Sequence, residues 1–262
     1  MGLLPQRPKH LSEAAIWQDV EFGSYTADLK TWEELAADAG GRVIELGAGS
    51  GRVALHLAAA GHAITALERD PELAQELSMR ARDQGLHVVC IEADLETGLP
   101  WLAPEEGEGE ADAEENGLVI APLQLLQLLD AEQRQLVLTS LQHSLPPGGC
   151  FAAALVDEST LVEEGVVPDS PPDMREHEGW VYSSEPLWVQ VSDEVLRMRR
   201  LRERVSPGGD IVRKVHDDVL HRLSPEQLEQ EASSAGLRPV ERRAIPSSAY
   251  EAGSIAVILE LP

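Results

Sequence analysis

One stretch constrains this chain more than any other: Val43-Ile44-Glu45-Leu46-Gly47-Ala48-Gly49-Ser50-Gly51. Its apolar, β-branched start predicts a short buried strand. Three glycines at alternate positions predict a turn with no side chains in the way. A ligand can then approach the backbone and meet free N–H groups at the start of the next helix. That helix is expected from Arg52 to Ala60, with Gly61 as its stop. Strand, turn and helix make the first half of a nucleotide-type site at the carboxyl end of a parallel strand.

Spacing narrows the ligand. A phosphate-cradling loop needs Gly, four residues, then Gly-Lys-Ser/Thr, and no such run is present. The dinucleotide pattern G-x-G-x-x-G needs a glycine where Arg52 stands. Glu45, two positions before the first glycine, is a poor neighbour for a pyrophosphate and a good one for an ammonium or sulfonium group. A second strand, His62 to Leu67, ends in Glu68, placed to accept both hydroxyls of a ribose. A third, Leu86 to Ile91, runs into Glu92-Ala93-Asp94-Leu95, where Asp94 can accept from an adenine amino group.

With these residues in order, the chain resembles the class I S-adenosylmethionine-dependent methyltransferases. The resemblance rests on Val43 to Gly51, Glu68 with Arg69-Asp70-Pro71, Ala93-Asp94, Ala121-Pro122-Leu123-Gln124 and Leu145-Pro146-Pro147-Gly148-Gly149. It spans roughly residues 25 to 262, is specific for the cofactor and is silent about the substrate. It implies an α/β, Rossmann-like doubly wound, mostly parallel sheet with an antiparallel last strand. It implies S-adenosyl-L-methionine as cofactor, and the leading reading is in-line methyl transfer to a small soluble molecule. Backbone groups around Gly47, Ala48, Gly49, Gly51 and Ala121 would hold the amino-acid end of the cofactor. Glu68 would hold the ribose, and Asp94 with the amide of Leu95 the adenine. Glu45 lies beside the charged end, and Arg69 either flanks the adenine or is solvated. The competing readings are an NAD-type oxidoreductase, a non-catalytic cofactor-binding protein, and an enzyme that uses the same cofactor for other chemistry.

Such a transfer needs alignment in a dry pocket rather than a triad, so no catalytic residue is assigned. The candidate substrate contacts are Tyr25, Gln124, Gln127, Trp180 and Tyr182. His177 or Glu158 would serve as base for an oxygen acceptor.

A balance of 21 basic against 46 acidic residues gives a formal charge of −25. That opposes partners bound by phosphate neutralisation, so neither nucleic acid nor an anionic membrane is expected. No apolar run reaches spanning length. Cys90 and Cys150 read as reduced core thiols of a cytoplasmic protein. A homodimer is compatible with this reading. No metal is expected: Glu105 to Glu115 packs seven acids into eleven residues without a histidine and reads as a solvated loop.

Three segments are expected. Residues 1–40 form a helical cap, with a helix from Tyr25 to Ala39. Residues 41–158 and 221–262 form the cofactor domain. Residues 159–220 form an insert of lid loop and antiparallel strands, the loop covering 157–179 and the strands starting at Trp180. Arg197, Arg199, Arg200, Arg202 and Arg204 crowd one strand of the insert, spread over both faces, and mostly balance the acidic surface.

Overall fold

The computed structural model describes residues 11–99, 116–161, 171–248 and 250–262. A seven-stranded sheet is built on β1 (Arg42–Leu46), β2 (Ile64–Glu68), β3 (Val88–Glu92), β4 (Asn116–Ala121) and β5 (Cys150–Val156), with β10 (Arg238–Ile245) and β11 (Ser254–Glu260) closing one edge. The order is β10-β11-β5-β4-β1-β2-β3, and β11 runs antiparallel to β5. The inner strands are apolar almost throughout because both faces are covered. On one face α2 (Leu29–Ala39) and α3 (Arg52–Ala59) bury Trp32, Val53 and Leu57 against Val43, Leu118 and Ile120. On the other, α5 (Ala131–Leu141) and α6 (Pro225–Ser234) bury Leu138, Leu141 and Leu228 against Val119, Phe151 and Val257.

Local signals set the helix starts. Asp70 accepts from the N–H groups of Glu72 and Leu73 and, with Pro71, opens α4 (Pro71–Gln84). Capping boxes open α5 at Asp130 and α6 at Ser224. The second helix begins later than its apolar stripe predicts, at Leu29. Tyr25 and Thr26 stay in irregular backbone before it, and the Asp28 side chain caps nothing because it is spent on Arg52 and Trp32.

A separate antiparallel sheet holds β6 (Asp173–His177), β7 (Trp180–Val191), β8 (Val195–Val205) and β9 (Ile211–His221) in that order. The predicted lid loop therefore contains a strand. Only Met174 in β6 is apolar, so no alternation marks it, and the tight turn at Glu178 and Gly179 (φ 51° and 80°) pairs it with β7. Residues 162–170 of that loop, and the acidic stretch Glu105 to Glu115, lie outside the described residues.

Four of the five arginines of β8 have identifiable partners. Arg199, on the outer face, pairs with Asp217 on β9. Arg200, Arg202 and Arg204 face the N-terminal helix α1 (Glu13–Phe22). Glu21 on α1 receives both arms of Arg202 at 2.8 and 2.6 Å and the Ser184 hydroxyl at 2.6 Å, with Arg200 at 3.6 Å. Trp17 packs edge-on to Tyr182, their ring centroids 5.5 Å apart. Burial works against ionising Glu21, but the Arg202 and Ser184 bonds outweigh it and hold its carboxyl below the ordinary range. The stability this gives is present above the ordinary carboxylate pKa and is lost as pH falls through the lowered one. Glu21→Ala should cost about 3 kcal/mol, because it strands Arg202. Urea unfolding at neutral pH checks this, and the loss should shrink at pH 3.

Candidate functional site

The carboxyl end of the large sheet gathers the predicted cofactor residues. The turn after β1 runs through Gly47, Gly49 and Gly51 at φ 62°, 56° and 97°, which only glycine adopts without strain. A Cβ on Gly47 would meet Leu125, and one on Gly49 would run into the carboxamide of Gln18. Glu68, buried at the tip of β2, ties this turn to the next element. Its Oε2 accepts from Gly49 N–H at 2.7 Å and its Oε1 from Asp70 N–H at 2.9 Å.

The N–H groups of the turn from Ala48 to Gly51 all have protein acceptors. Ala48 N–H donates to Leu67 O, Gly49 N–H to Glu68, Ser50 N–H to Gln18 Oε1 and Gly51 N–H to Ala48 O. A tight turn closes on itself and on its neighbours, so these donors are spent within the fold. Gln18 and Asp19 of α1 lie on it, and the Ser50 hydroxyl donates to Asp19 at 3.2 Å.

Beneath the turn, Glu45 is 3% exposed. One side of its carboxyl takes the Ala54 N–H at the head of α3, and Oε2 has no partner. Burial pushes this carboxyl up to about 8, against the pull of Arg52. Arg52 fills the position that excluded the dinucleotide pattern. It donates to both oxygens of Asp28 at 2.7 Å and to Tyr25 O at 2.9 Å, and stacks on the Tyr25 ring at 5.1 Å. Its Nε is also buried without a partner. Gly47 is exposed, Ala48 to Gly51 are buried, and unsatisfied polar atoms lie beneath them among carboxylates, an arrangement that suits a ligand with a cationic end.

Asp94 is exposed at the tip of β3. Its Oδ1 accepts from Glu96 N–H at 3.0 Å, while Leu95 is buried behind it. Arg69 pairs with Glu96 at 2.9 Å, tying the tips of β2 and β3. Ala121 is fully buried at the end of β4. Beyond it, Leu123 and Gln124 are both left-handed at φ 48° and 57°, a strained pair for residues with side chains. Gln124 Nε2 reaches the Ser254 hydroxyl at 2.8 Å, and the Tyr25 hydroxyl bonds to the same serine.

The other candidate substrate contacts are employed elsewhere. Gln127 is fully buried, accepting from Val156 N–H at 2.8 Å and donating to His221 O at 3.3 Å, so both amide ends brace the fold. Tyr182 packs on Trp17 of α1, and Trp180 carries Arg204 over its ring at 5.9 Å. Glu158 is ion-paired to Arg222 at 2.5 Å, and His177 sits in the β6–β7 pairing opposite Trp180. A cleft of about 360 Å³ opens beside the tip of β5, lined by Val156, Asp157, Ser159, Asp193, Arg222 and Ile255.

Sequence reasoning missed Gln18, Asp19, Asp28 and Ser254. Only Asp19 left a mark: it is a charged residue between the apolar positions Trp17 and Val20 on the buried side of α1.

Residues 43–149 match the family model described as a methyltransferase domain. No curated protein matches in sequence. Among solved structures, the sugar N-methyltransferase KedS8 from Streptoalloteichus is similar at TM-score 0.68 and 15% identity, over 98% of this chain and 97% of that one. The CcbJ methyltransferase from Streptomyces caelestis is similar at TM-score 0.65 and 19% identity, over 92% and 98%. CalS10, an amino pentose methyltransferase from Micromonospora echinaspora, is similar at TM-score 0.63 and 15% identity, over 95% and 99%. These identities establish shared fold, and the matched stretch contains the glycine turn, Glu68 and Asp94. Residues 43–149 thus carry a methyltransferase domain, and the chain shares its fold with S-adenosylmethionine-dependent methyltransferases.

Proposed function

We propose that this enzyme transfers a methyl group in line to an amine of a small soluble acceptor. The observation that carries the cofactor half is the bare turn held by a buried acid: Glu68 on Gly49 N–H, beside glycine positions that no side chain can occupy unstrained. A carboxylate has about four acceptor positions, and backbone N–H groups use only two of those on Glu68. The remaining two can take the ribose hydroxyls. Asp94, with one oxygen unspent, and the Leu95 amide would receive the adenine, with Arg69 at its flank. Gly47, Ala48, Gly49, Gly51 and Ala121 would form the floor, with Glu45 next to the charged end. In this reading residues 1–40 are a cap, 41–158 with 221–262 the cofactor domain, and 159–220 the insert.

The bound cofactor supplies a methyl carbon attached to a good leaving group. The chain's own residues orient the acceptor and exclude water. Burial, first, and the nearby Asp28 push the Tyr25 hydroxyl up to about 12, so at neutral pH it keeps its proton and orients rather than deprotonates. With Glu158 bound to Arg222, no base is needed for an amine that reaches the site neutral. An amine acceptor is further supported by the similarity to sugar and amino pentose methyltransferases. Tyr25 and Gln124, joined through Ser254, are the groups proposed to meet it. A panel of amino sugars with methyl-labelled cofactor tests the acceptor class, and transfer to hydroxyl acceptors alone would refute it.

Two outcomes follow for the cofactor. Glu68→Ala should weaken S-adenosylhomocysteine by about tenfold or more, through loss of a two-hydroxyl contact; calorimetry on the folded variant would show this. Glu45, held near 8, is largely protonated at pH 6 in the free enzyme. A cationic ligand beside it favours the ionised form, so S-adenosylmethionine should bind more tightly as pH rises from 6 to 8, releasing up to about one proton. Glu45→Gln should flatten that slope, which titration in buffers of different ionisation enthalpy measures.

A further inference from the structure

We infer that Gln18, on α1, is a cofactor-binding residue whose amide donates to the carboxylate at the amino-acid end of S-adenosylmethionine. The inference rests on the glycine turn being the cofactor cradle.

Three observations carry it. First, the turn's donors from Ala48 to Gly51 are spent: these four N–H groups all have protein acceptors. Second, the acids beside it, Asp19, Glu45 and Glu68, supply acceptors rather than donors, and the cations Arg80 and Arg175 are already spent on Asp19. Arg52, next to the turn in sequence, has its terminal nitrogens on Asp28 and Tyr25 O. A zwitterionic ligand end therefore finds acceptors for its ammonium but needs a donor for its carboxylate. Third, Gln18 lies on the turn in a fixed orientation. Its Oε1 accepts from Ser50 N–H at 3.1 Å, which identifies the oxygen and leaves Nε2 as the other end of the amide. Among the described residues, that Nε2 has no acceptor.

The placement is held firmly. The next residue, Asp19, accepts both arms of Arg80 at 2.8 and 2.6 Å, Arg175 at 3.0 Å and the Ser50 hydroxyl at 3.2 Å. Glu21, one turn on, is clamped by Arg202 and Ser184. Helix α1 thus presents Gln18 to the turn from a site anchored on α4 and on the insert sheet, and the amide needs no ordering when the ligand arrives.

The test compares two ligands by calorimetry: S-adenosylhomocysteine, and 5′-methylthioadenosine, which has the same adenosyl thioether but no amino-acid end. Gln18→Glu keeps an oxygen for Ser50 N–H, so the turn retains its contact, but it removes the donor and adds a negative charge. Gln18→Ala removes both. The expected result is a loss of about tenfold or more for S-adenosylhomocysteine in both variants, larger for Gln18→Glu, with 5′-methylthioadenosine changed less than about twofold. Equal losses for the two ligands would overturn the assignment, since they would mean that Gln18 only shapes the turn. Unchanged S-adenosylhomocysteine binding in Gln18→Glu would overturn it as well. So would tighter binding in Gln18→Ala, the signature of a side chain that the cofactor must displace. Glu68→Ala measured alongside separates the two levels: if it weakens both ligands while the Gln18 variants do not, only Gln18 is misassigned, and if neither position matters, the cradle itself is wrong.

Discussion

The buried carboxylate of Glu68 is the point on which the site's geometry depends. It takes one N–H from the turn after β1 and one from the start of α4, so a single side chain fixes the two adjacent loops against each other. Charge-assisted bonds to backbone N–H groups are the stronger kind of hydrogen bond. The turn they hold is left-handed at three glycines and lies under no side chain of its own. The site is therefore a surface prepared by the fold, with acids at its rim, before any ligand is present.

The N-terminal helix adds the second constraint. It carries acids on the side that meets the arginines of β8 and β6, and Gln18 and Asp19 on the side that meets the turn. In a chain with 21 basic against 46 acidic residues, the insert spends Arg175, Arg200, Arg202 and Arg204 on this one helix. The cofactor turn and the insert sheet are thus joined through α1. The Arg52–Asp28 pair and the Tyr25 ring make a parallel connection, from the head of α3 through Ser254 to Gln124.

The large sheet was legible because its signals are local. Apolar strands, the glycine turn, Asp70-Pro71 and the capping boxes at Asp130 and Ser224 each specify their own element. The tips of the strands were legible for the same reason: Glu68 and Asp94 follow from where a strand ends. What the chain hid was tertiary. Strand β6 has almost no apolar residues and exists because β7 pairs with it. Gln18, Ser254 and Asp28 act on residues 32, 130 and 24 positions away, and nothing in their own neighbourhood announces that. Gln127 shows the converse. Its place just beyond β4 suggests a ligand contact, yet both ends of its amide are used to brace β5 against β9.

The account stands on the adenosyl group lying over the turn between Leu46 and Arg52, with its ribose at Glu68. A crystal structure with S-adenosylhomocysteine tests that directly. The account predicts density running along Gly47 to Gly51, ribose hydroxyls within hydrogen-bond distance of the Glu68 carboxylate, and adenine beside Asp94 and Leu95. Density for the ligand at the β5 cleft instead, with the turn and Glu68 contacts unchanged and empty of ligand, would contradict it.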